Sequence, residues 1–220
     1  MAKRSQSERR PLNDAVVQRV FLSASVPLPS RNAAYFNTAD VIAIRDAVRA
    51  LTIVIIEQKA QLVFGGHPAI SPMIRLQIAQ AGMPVGDRVV MFQSRFFDRA
   101  FPDDNAAFER VILTDAIEDD RQKSLIHMRE TMLSGTFNCG IFIGGMEGVE
   151  EEYEMFRRLQ PGVPAFPVAS TGAASAMLYN ASTSLKKQHP ELQEEFSYIT
   201  LMRNLVYPRR PAGRSSRRRK

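Results

Sequence analysis

Apolar positions along this chain fall into short dense runs, separated by longer stretches in which they recur every three or four residues. The runs cover residues 19–23, 61–64, 88–92, 111–114, 139–143 and 165–169. Most are unbroken Val, Ile and Phe rather than strict alternations, and a strand reads that way when both of its faces are covered. They therefore predict a parallel sheet. Helical spacing between them predicts helices over residues 38–59, 72–81, 103–110, 120–134, 147–159 and 172–187. A last amphipathic stretch over 190–206 is expected against the sheet or a neighbouring subunit. Gly82 and Gly135 stand where helix C-caps belong, and Ser71-Pro72 reads as an N-cap followed by proline. Strand and helix alternate throughout, which gives an α/β class with helices on both faces of the sheet.

Composition changes the picture little and charge changes it more. With 220 residues, 45% apolar and 24% charged, the chain fits one domain with short appendages. The expected division is a tail over 1–16, a body over 17–207 and a tail over 208–220. The net charge of +6 is unevenly held: residues 1–10 carry +3 and residues 209–220 carry +7, leaving −4 for everything between. Runs of like charge read as solvated, disordered ends; the alternative is weak, sequence-blind contact with nucleic acid through the tails. The single cysteine, Cys139, makes neither an internal disulfide nor a cysteine metal site and reads as buried packing. No apolar run reaches bilayer length and the N-terminus has no signal-like core, so a cytoplasmic protein without membrane contact is expected.

Candidate chemistry lies in the turns that leave the strands. Ser23-Ala24-Ser25 succeeds the first and Gly65-Gly66-His67-Pro68 the second. Gly144-Gly145-Met146-Glu147-Gly148 succeeds the fifth and Ser170-Thr171-Gly172 the sixth. In an open parallel sheet these turns share the carboxyl edge, where ligands bind near the switch in strand order. Glycine lets backbone approach a ligand, and helix N-termini favour anions. Small residues also suit any strand–helix turn, but four such turns suit a nucleotide or nucleotide sugar. The dinucleotide fingerprint, the phosphate-loop motif and the nucleophile elbow are all absent. His67, His127 and His189 have no metal-ligand spacing, so neither metal nor cofactor is expected.

These stretches resemble the SLOG superfamily. The residues that carry the resemblance run Val20-Phe21-Leu22-Ser23-Ala24-Ser25-Val26-Pro27, Phe64-Gly65-Gly66-His67-Pro68, Phe142-Ile143-Gly144-Gly145-Met146-Glu147-Gly148 and Pro167-Val168-Ala169-Ser170-Thr171-Gly172. The superfamily joins the Lonely-guy (LOG) phosphoribohydrolases to nucleotide-sensing Rossmann-like domains of bacterial conflict systems. The resemblance implies a Rossmann-like parallel sheet. Its sensor branch, which includes the sensor domain of Thoeris antiphage effectors, implies binding of an ADP-ribose or cyclic ADP-ribose signal in defence or stress signalling. A homo-oligomer, or a separate effector protein, would then supply the output. The LOG branch implies a nucleotide N-glycosidase instead. Its P-G-G-x-G-T-x-x-E motif is echoed by Gly144, Gly145 and Gly148, with Ile143 for the proline and Val149 for the threonine. Arg129 matches its upstream arginine, with Glu130 in place of the lysine that comes next. Arg129, Glu151 and Glu152 are the catalytic candidates on that reading.

Other residues keep two readings each. The carboxylates Glu147, Glu150, Glu151, Glu152 and Glu154 suit a solvated first helical turn as well as a site. His67 either donates to a ligand or stabilises its own turn. Arg31 and Arg95 are candidate phosphate forks or ordinary surface arginines. Phe92, Phe96 and Phe97 read as core or interface before they read as a base-stacking platform.

Overall fold

The computed structural model describes residues 17–82, 88–100 and 108–208. Its six strands are β1 (Arg19–Ser25), β2 (Gln61–Gly65), β3 (Val89–Ser94), β4 (Arg110–Thr114), β5 (Cys139–Gly144) and β6 (Ala165–Val168). They form one all-parallel sheet in the order β4-β3-β2-β1-β5-β6, an α/β Rossmann-like fold. The chain winds outward from β1 through β2 and β3 to β4, then returns to lay β5 on the other side of β1. The order therefore switches between β1 and β5.

Period-two side-chain direction explains why the strands read as continuous apolar runs. Val20 and Leu22, Leu62 and Phe64, Val89 and Met91, and Ile141 and Ile143 all face one core. Phe21, Val63, Val90, Phe92 and Phe142 face the other. The first core is closed by α2 (Val41–Glu57), α3 (Ser71–Ala81) and α9 (Tyr198–Val206), with Leu192 from α8 (Glu191–Glu194). The second is closed by α4 (Arg121–Leu133), α5 (Glu147–Leu159) and the start of α6 (Ala173–Ala181). Its centre is aromatic: Phe21 stacks on Phe156 at 5.4 Å and meets Phe142 edge-on at 5.8 Å. Gly140 makes room for this cluster, since a Cβ there would lie 3.0 Å from both Phe142 and Phe156. Pro167 sits in β6, an edge strand, where the missing N–H costs least.

Helix limits depart from expectation where a side chain caps. The helix expected from residue 38 begins at Val41, because Asp40 Oδ1 accepts from Ala43 N at 2.9 Å. Residues 33–36 form a separate short helix, α1 (Ala33–Phe36). The helix expected over 172–187 breaks at Ser182, which ends α6 and caps α7 (Thr183–Gln188) by accepting from Leu185 N at 3.2 Å. The stretch 190–206 splits into α8 and α9 around extended Glu195, and α9 packs against α2 within this chain. Gly82 is the left-handed C-cap expected of it. Gly135 is not: Ser134 caps α4, and a Cβ on Gly135 would collide with the Arg19 guanidinium. Ser71 is the first residue of α3 rather than its cap, and its hydroxyl accepts from His67 N at 3.0 Å. Of the helix expected over 103–110, residues 103–107 lie outside the described residues, and Arg110 belongs to β4. Residues 1–16 and 209–220 also lie outside them.

Candidate functional site

The four segments singled out in the sequence lie at the ends of β2, β1, β5 and β6, which are neighbours in the sheet with the switch point at their centre, although Ser23-Ala24-Ser25 is not a turn after β1 but its last three residues, paired with β5. At a strand spacing of about 4.8 Å they span roughly 14 Å, about the reach of an extended nucleotide. Those at the ends of β1, β5 and β6 are joined to one another. Gly145 N donates to Ser25 O at 2.9 Å, and Gly144 N to Thr171 Oγ1 at 2.8 Å. Ser175 Oγ donates to Gly144 O at 3.0 Å, and Ala174 N to Gly145 O at 3.3 Å. Asp40 N, at the head of α2, reaches Thr171 O at 3.2 Å, and Tyr198 donates to Ser170 Oγ at 3.2 Å.

This path needs left-handed backbone. Gly144, Gly145 and Gly172 have φ of 57°, 96° and 73°, and the non-glycine Ala173 holds 52°. A Cβ on Gly172 would lie 1.9 Å from Thr38 O, and one on Gly145 would lie 2.4 Å from Val149. Strained backbone of this kind persists only where the surroundings over-determine it. Beneath the turns, Ser23 is 2% exposed and its Oγ has no hydrogen-bond partner among the described residues. Such an orphaned hydroxyl costs about 1–3 kcal/mol.

The remaining predicted residues divide. Met146 caps α5 by backbone only, Glu147 is exposed beside it, and Gly148 lies under Arg129. Gly66 leaves space for Gln93, which a Cβ would meet at 2.0 Å. His67 is a turn stabiliser: its Nδ1 accepts from Ala69 N at 3.1 Å, which leaves the proton on Nε2, and burial lowers its pKa so that it stays neutral. Arg31 is exposed in the loop after β1 and has no ion-pair partner among the described residues. Arg95 stands two strands away from β1, between Asp98 at 3.9 Å and Asp115 at 3.8 Å, so its charge is already answered. Phe92 is core, and Phe96 and Phe97 pack edge to face on each other.

Arg129, Glu151 and Glu152 do come together, between α4 and α5. The buried guanidinium donates to Glu151 Oε2, to Glu152 Oε1 at 3.0 Å and to Gly148 O at 3.5 Å. Desolvation would lower its pKa, but the two carboxylates outweigh burial and raise it. Cys139 is buried in β5 and its thiol is pushed up to about 12 by burial, so it is inert.

Sequence reasoning missed Tyr35, whose hydroxyl donates to Glu150 at 2.9 Å and straps the loop after β1 onto the first turn of α5. Burial, then the bond to Glu150, pushes this phenol up to about 12. No motif marks Tyr35, Ser175 or Tyr198. Asp40 had a signal, as a capping residue just before an apolar helical run.

Two clefts stand elsewhere. One of about 510 Å³ opens at the amino ends of β1, β5 and β6, and one of about 460 Å³ lies between α4 and α5 beside Arg129. Neither is lined by the four turns. Among the described residues no helix is long and apolar enough to cross a membrane, and no cluster of three metal-binding side chains occurs.

A search of curated proteins gives no match. The model of one protein family, described as the SLOG cluster3 family, matches residues 34–206, which run from α1 to the last residue of α9 and contain three of the four turns. With that match over most of its length, and with the switch-point turns in place, this chain belongs to the SLOG cluster3 family and is a nucleotide-related domain of the SLOG superfamily.

Proposed function

We propose that the domain is a sensor that binds a nucleotide-derived signal of the ADP-ribose or cyclic ADP-ribose type over the β1/β5 switch point, in bacterial defence or stress signalling. The observation that carries this reading is the meeting of Ser23–Ser25, Gly65–His67, Gly144–Gly148 and Ser170–Gly172 on four adjacent strands. Gly144, Gly145 and Gly172 hold the edge in left-handed backbone, their absent Cβ atoms leaving room for Ile44, Val149 and the Thr38 carbonyl, and Ser23 Oγ offers an unsatisfied polar atom below. The helix N-termini differ. The first turn of α5 holds Glu147 and Glu150, which answer its dipole and disfavour a second anion. The start of α6 has neither a side-chain cap nor an acid to answer its dipole, although Ala173–Ser175 are buried and Ala174 N is already taken by Gly145 O. Arg31, across the switch point, is available to a phosphate. A homo-oligomer or a separate effector would carry the output.

A LOG-like hydrolase is the second reading, favoured by the grouping of Arg129, Glu151 and Glu152. Cleaving an N-glycosidic bond would need a carboxylate beside an oxocarbenium-like carbon and a guanidinium on the phosphate. Here the guanidinium is held by the carboxylates themselves, which supports a structural clasp between α4 and α5. Mass spectrometry of small molecules released from the denatured protein, with titration of ADP-ribose into the folded protein, separates the readings. The sensor binds ADP-ribose and releases no free base from it or from AMP. Multiple-turnover base release, abolished by Glu151→Gln or Glu152→Gln, would establish the hydrolase.

A further inference from the structure

A helix that covers one face of a sheet is expected to turn charged and polar side chains to solvent, and α2 departs from that pattern. Its inner positions, from Ala43 and Ile44 to Val54 and Ile55, close the first core. At 3.6 residues per turn the positions left outside include Ile42, Arg45, Asp46, Arg49 and Ile53, all within about 60° of one line along the helix. Ile42 is 64% exposed. Ile53 is half-buried, and like Ile42 it joins neither core. One exposed isoleucine is ordinary. Two on one line, about three turns apart with an acid and a base between them, form a pattern. Ile42, Asp46, Arg49 and Ile53 follow one another at spacings of four, three and four residues, the spacing by which two helices pack along a seam.

The two charges at the middle of this line are poorly answered within the chain. Arg49 Nη1 stands 4.0 Å from Asp46 Oδ1, too far for a hydrogen bond. Arg49 Nε is buried with no hydrogen-bond partner among the described residues. Asp46 accepts from Arg45 Nε at 2.9 Å with that same Oδ1. The side chains of Asp46 and Arg49 are 42% and 43% exposed, so both reach outward. Both lie beyond the first turn of α2 and before its last, where the helix dipole asks for neither charge.

The order along the line is apolar, acid, base, apolar. Read from the other end it is apolar, base, acid, apolar, which is its own complement. A second α2 laid antiparallel, about a two-fold axis between Ala47 and Val48, brings Ile42 of one copy onto Ile53 of the other. The same operation brings Asp46 onto Arg49, and each contact occurs twice, as an isologous interface requires. A parallel pairing would set Asp46 against Asp46 and Arg49 against Arg49.

We propose that the outward face of α2 is a homodimer interface, in which two copies of this chain pack α2 on α2 antiparallel through Ile42–Ile53 and Asp46–Arg49 contacts. An unrelated partner would need only some matching strip, whereas the reversal symmetry of these four residues fits a second copy. A stable interface buries roughly 800 Å² per partner, more than one helix face supplies, so α3 and α9, which pack on α2, would border the contact. The inference rests on this face alone and not on the identity of the ligand over the switch point.

The test is the mass of the full chain in solution, by sedimentation and by light scattering after gel filtration. The wild type should run at twice the chain mass of 24.7 kDa and dissociate on dilution. Ile42→Asp should weaken dimerisation by about a hundredfold or more, since each dimer loses two buried isoleucines. Asp46→Arg and Arg49→Asp should each run as a monomer, because like charges then meet across the axis. Mixed one to one, these two variants should pair with each other, each supplying the charge the other lacks, and a tag on one should capture the other. A merely structural role for either residue gives no such recovery. Circular dichroism and melting curves confirm that each variant is folded. The proposal is overturned by a wild type that stays monomeric at the highest concentration reached, by a dimer that all three substitutions leave intact, or by charge variants that dissociate yet do not pair when mixed.

Discussion

At the carboxyl edge of the sheet the chain places its special residues for backbone geometry: Gly144, Gly145, Gly172 and Ala173 all hold positive φ, and small hydroxyls fill the space around them. At the amino edge it places long cations, and positive φ there falls at Lys59, Gly82 and Gly162, in the connections that lead into β2, β3 and β6. Part of the contrast comes from topology alone. Every helix that leaves a parallel strand starts at the carboxyl edge, so Asp40, Asp120, Glu147 and Glu150 gather at helix N-termini there, while Arg157, Arg158 and Arg203 gather at the other end. The remainder is what marks function. No dipole demands a buried unpartnered Ser23 hydroxyl on one edge; on the other, Arg19 lies over Phe137 and against Gly135, just past the end of α4. One edge is thus sensitive to shape and the other to charge.

The sharpest way to break the shape-sensitive edge is Gly172→Val. The new Cβ meets the Thr38 carbonyl, which is backbone and cannot swing aside, at a φ that a β-branched residue does not adopt. A loss of about 3 kcal/mol or more is expected, read as a melting temperature lower by about 10 °C, together with loss of nucleotide binding. A variant that melts within a degree or two of the wild type would mean that the turn relaxes freely and is no rigid cradle.

Next comes the clasp between α4 and α5. Arg129→Met keeps the apolar stem but leaves Glu152, whose side chain is 14% exposed, without its cation. Removing one partner of a fully buried pair costs about 3–5 kcal/mol; Glu151 is half-exposed here, so about 2 kcal/mol is expected by chemical denaturation. If the clasp is structural, the folded fraction of this variant still binds nucleotide with its affinity within a few-fold. Intact stability with affinity lost by orders of magnitude would instead put the guanidinium on the ligand.

Much of this was legible in the sequence. Most of the strands could be read because they are buried on both faces, and the burial wrote continuous apolar runs; β4, an edge strand with Leu113 exposed, was legible from its Val111-Ile112-Leu113 run alone. The four turns could be read because glycine and hydroxyl residues are rare in such clusters. What could not be read is whatever depends on which strands become neighbours. Arg31 and Arg95 look alike in the sequence, each an arginine in a loop after a strand. Strand order separates them: β1 is central, and β3 is two strands away with Asp98 and Asp115 at hand. Tyr35 was invisible for the same reason, because its partner Glu150 lies 115 residues further along. The segregated charge was hidden too, since a net value over the body cannot say which end of a strand carries it.

A smaller effect is expected from Tyr35→Phe. The ring keeps its place in the core and only the hydrogen bond to Glu150 goes, so about 1 kcal/mol of stability should be lost. The informative readout is hydrogen exchange at residues 33–39, which should quicken if the hydroxyl is what straps this loop to α5. Unchanged exchange would assign the loop's order to packing and to the Asn32 and Asp40 caps instead.

The smallest change in stability, and the finest division of the carboxyl edge, comes from comparing Arg31→Glu with Arg95→Glu. Both side chains are exposed, so neither variant should alter stability by more than about 0.5 kcal/mol. Their effects on ADP-ribose should differ. Arg31 has no described carboxylate to satisfy and stands after β1 at the switch, so reversing its charge should weaken binding by about tenfold or more, the worth of one charged hydrogen bond. Arg95 already faces two aspartates at the end of β3, and its reversal should change affinity by about twofold or less, through long-range charge alone. Equal losses in calorimetric titrations of both variants would mean that the ligand extends across the ends of β2 and β3, and the site would then be centred away from the β1/β5 switch.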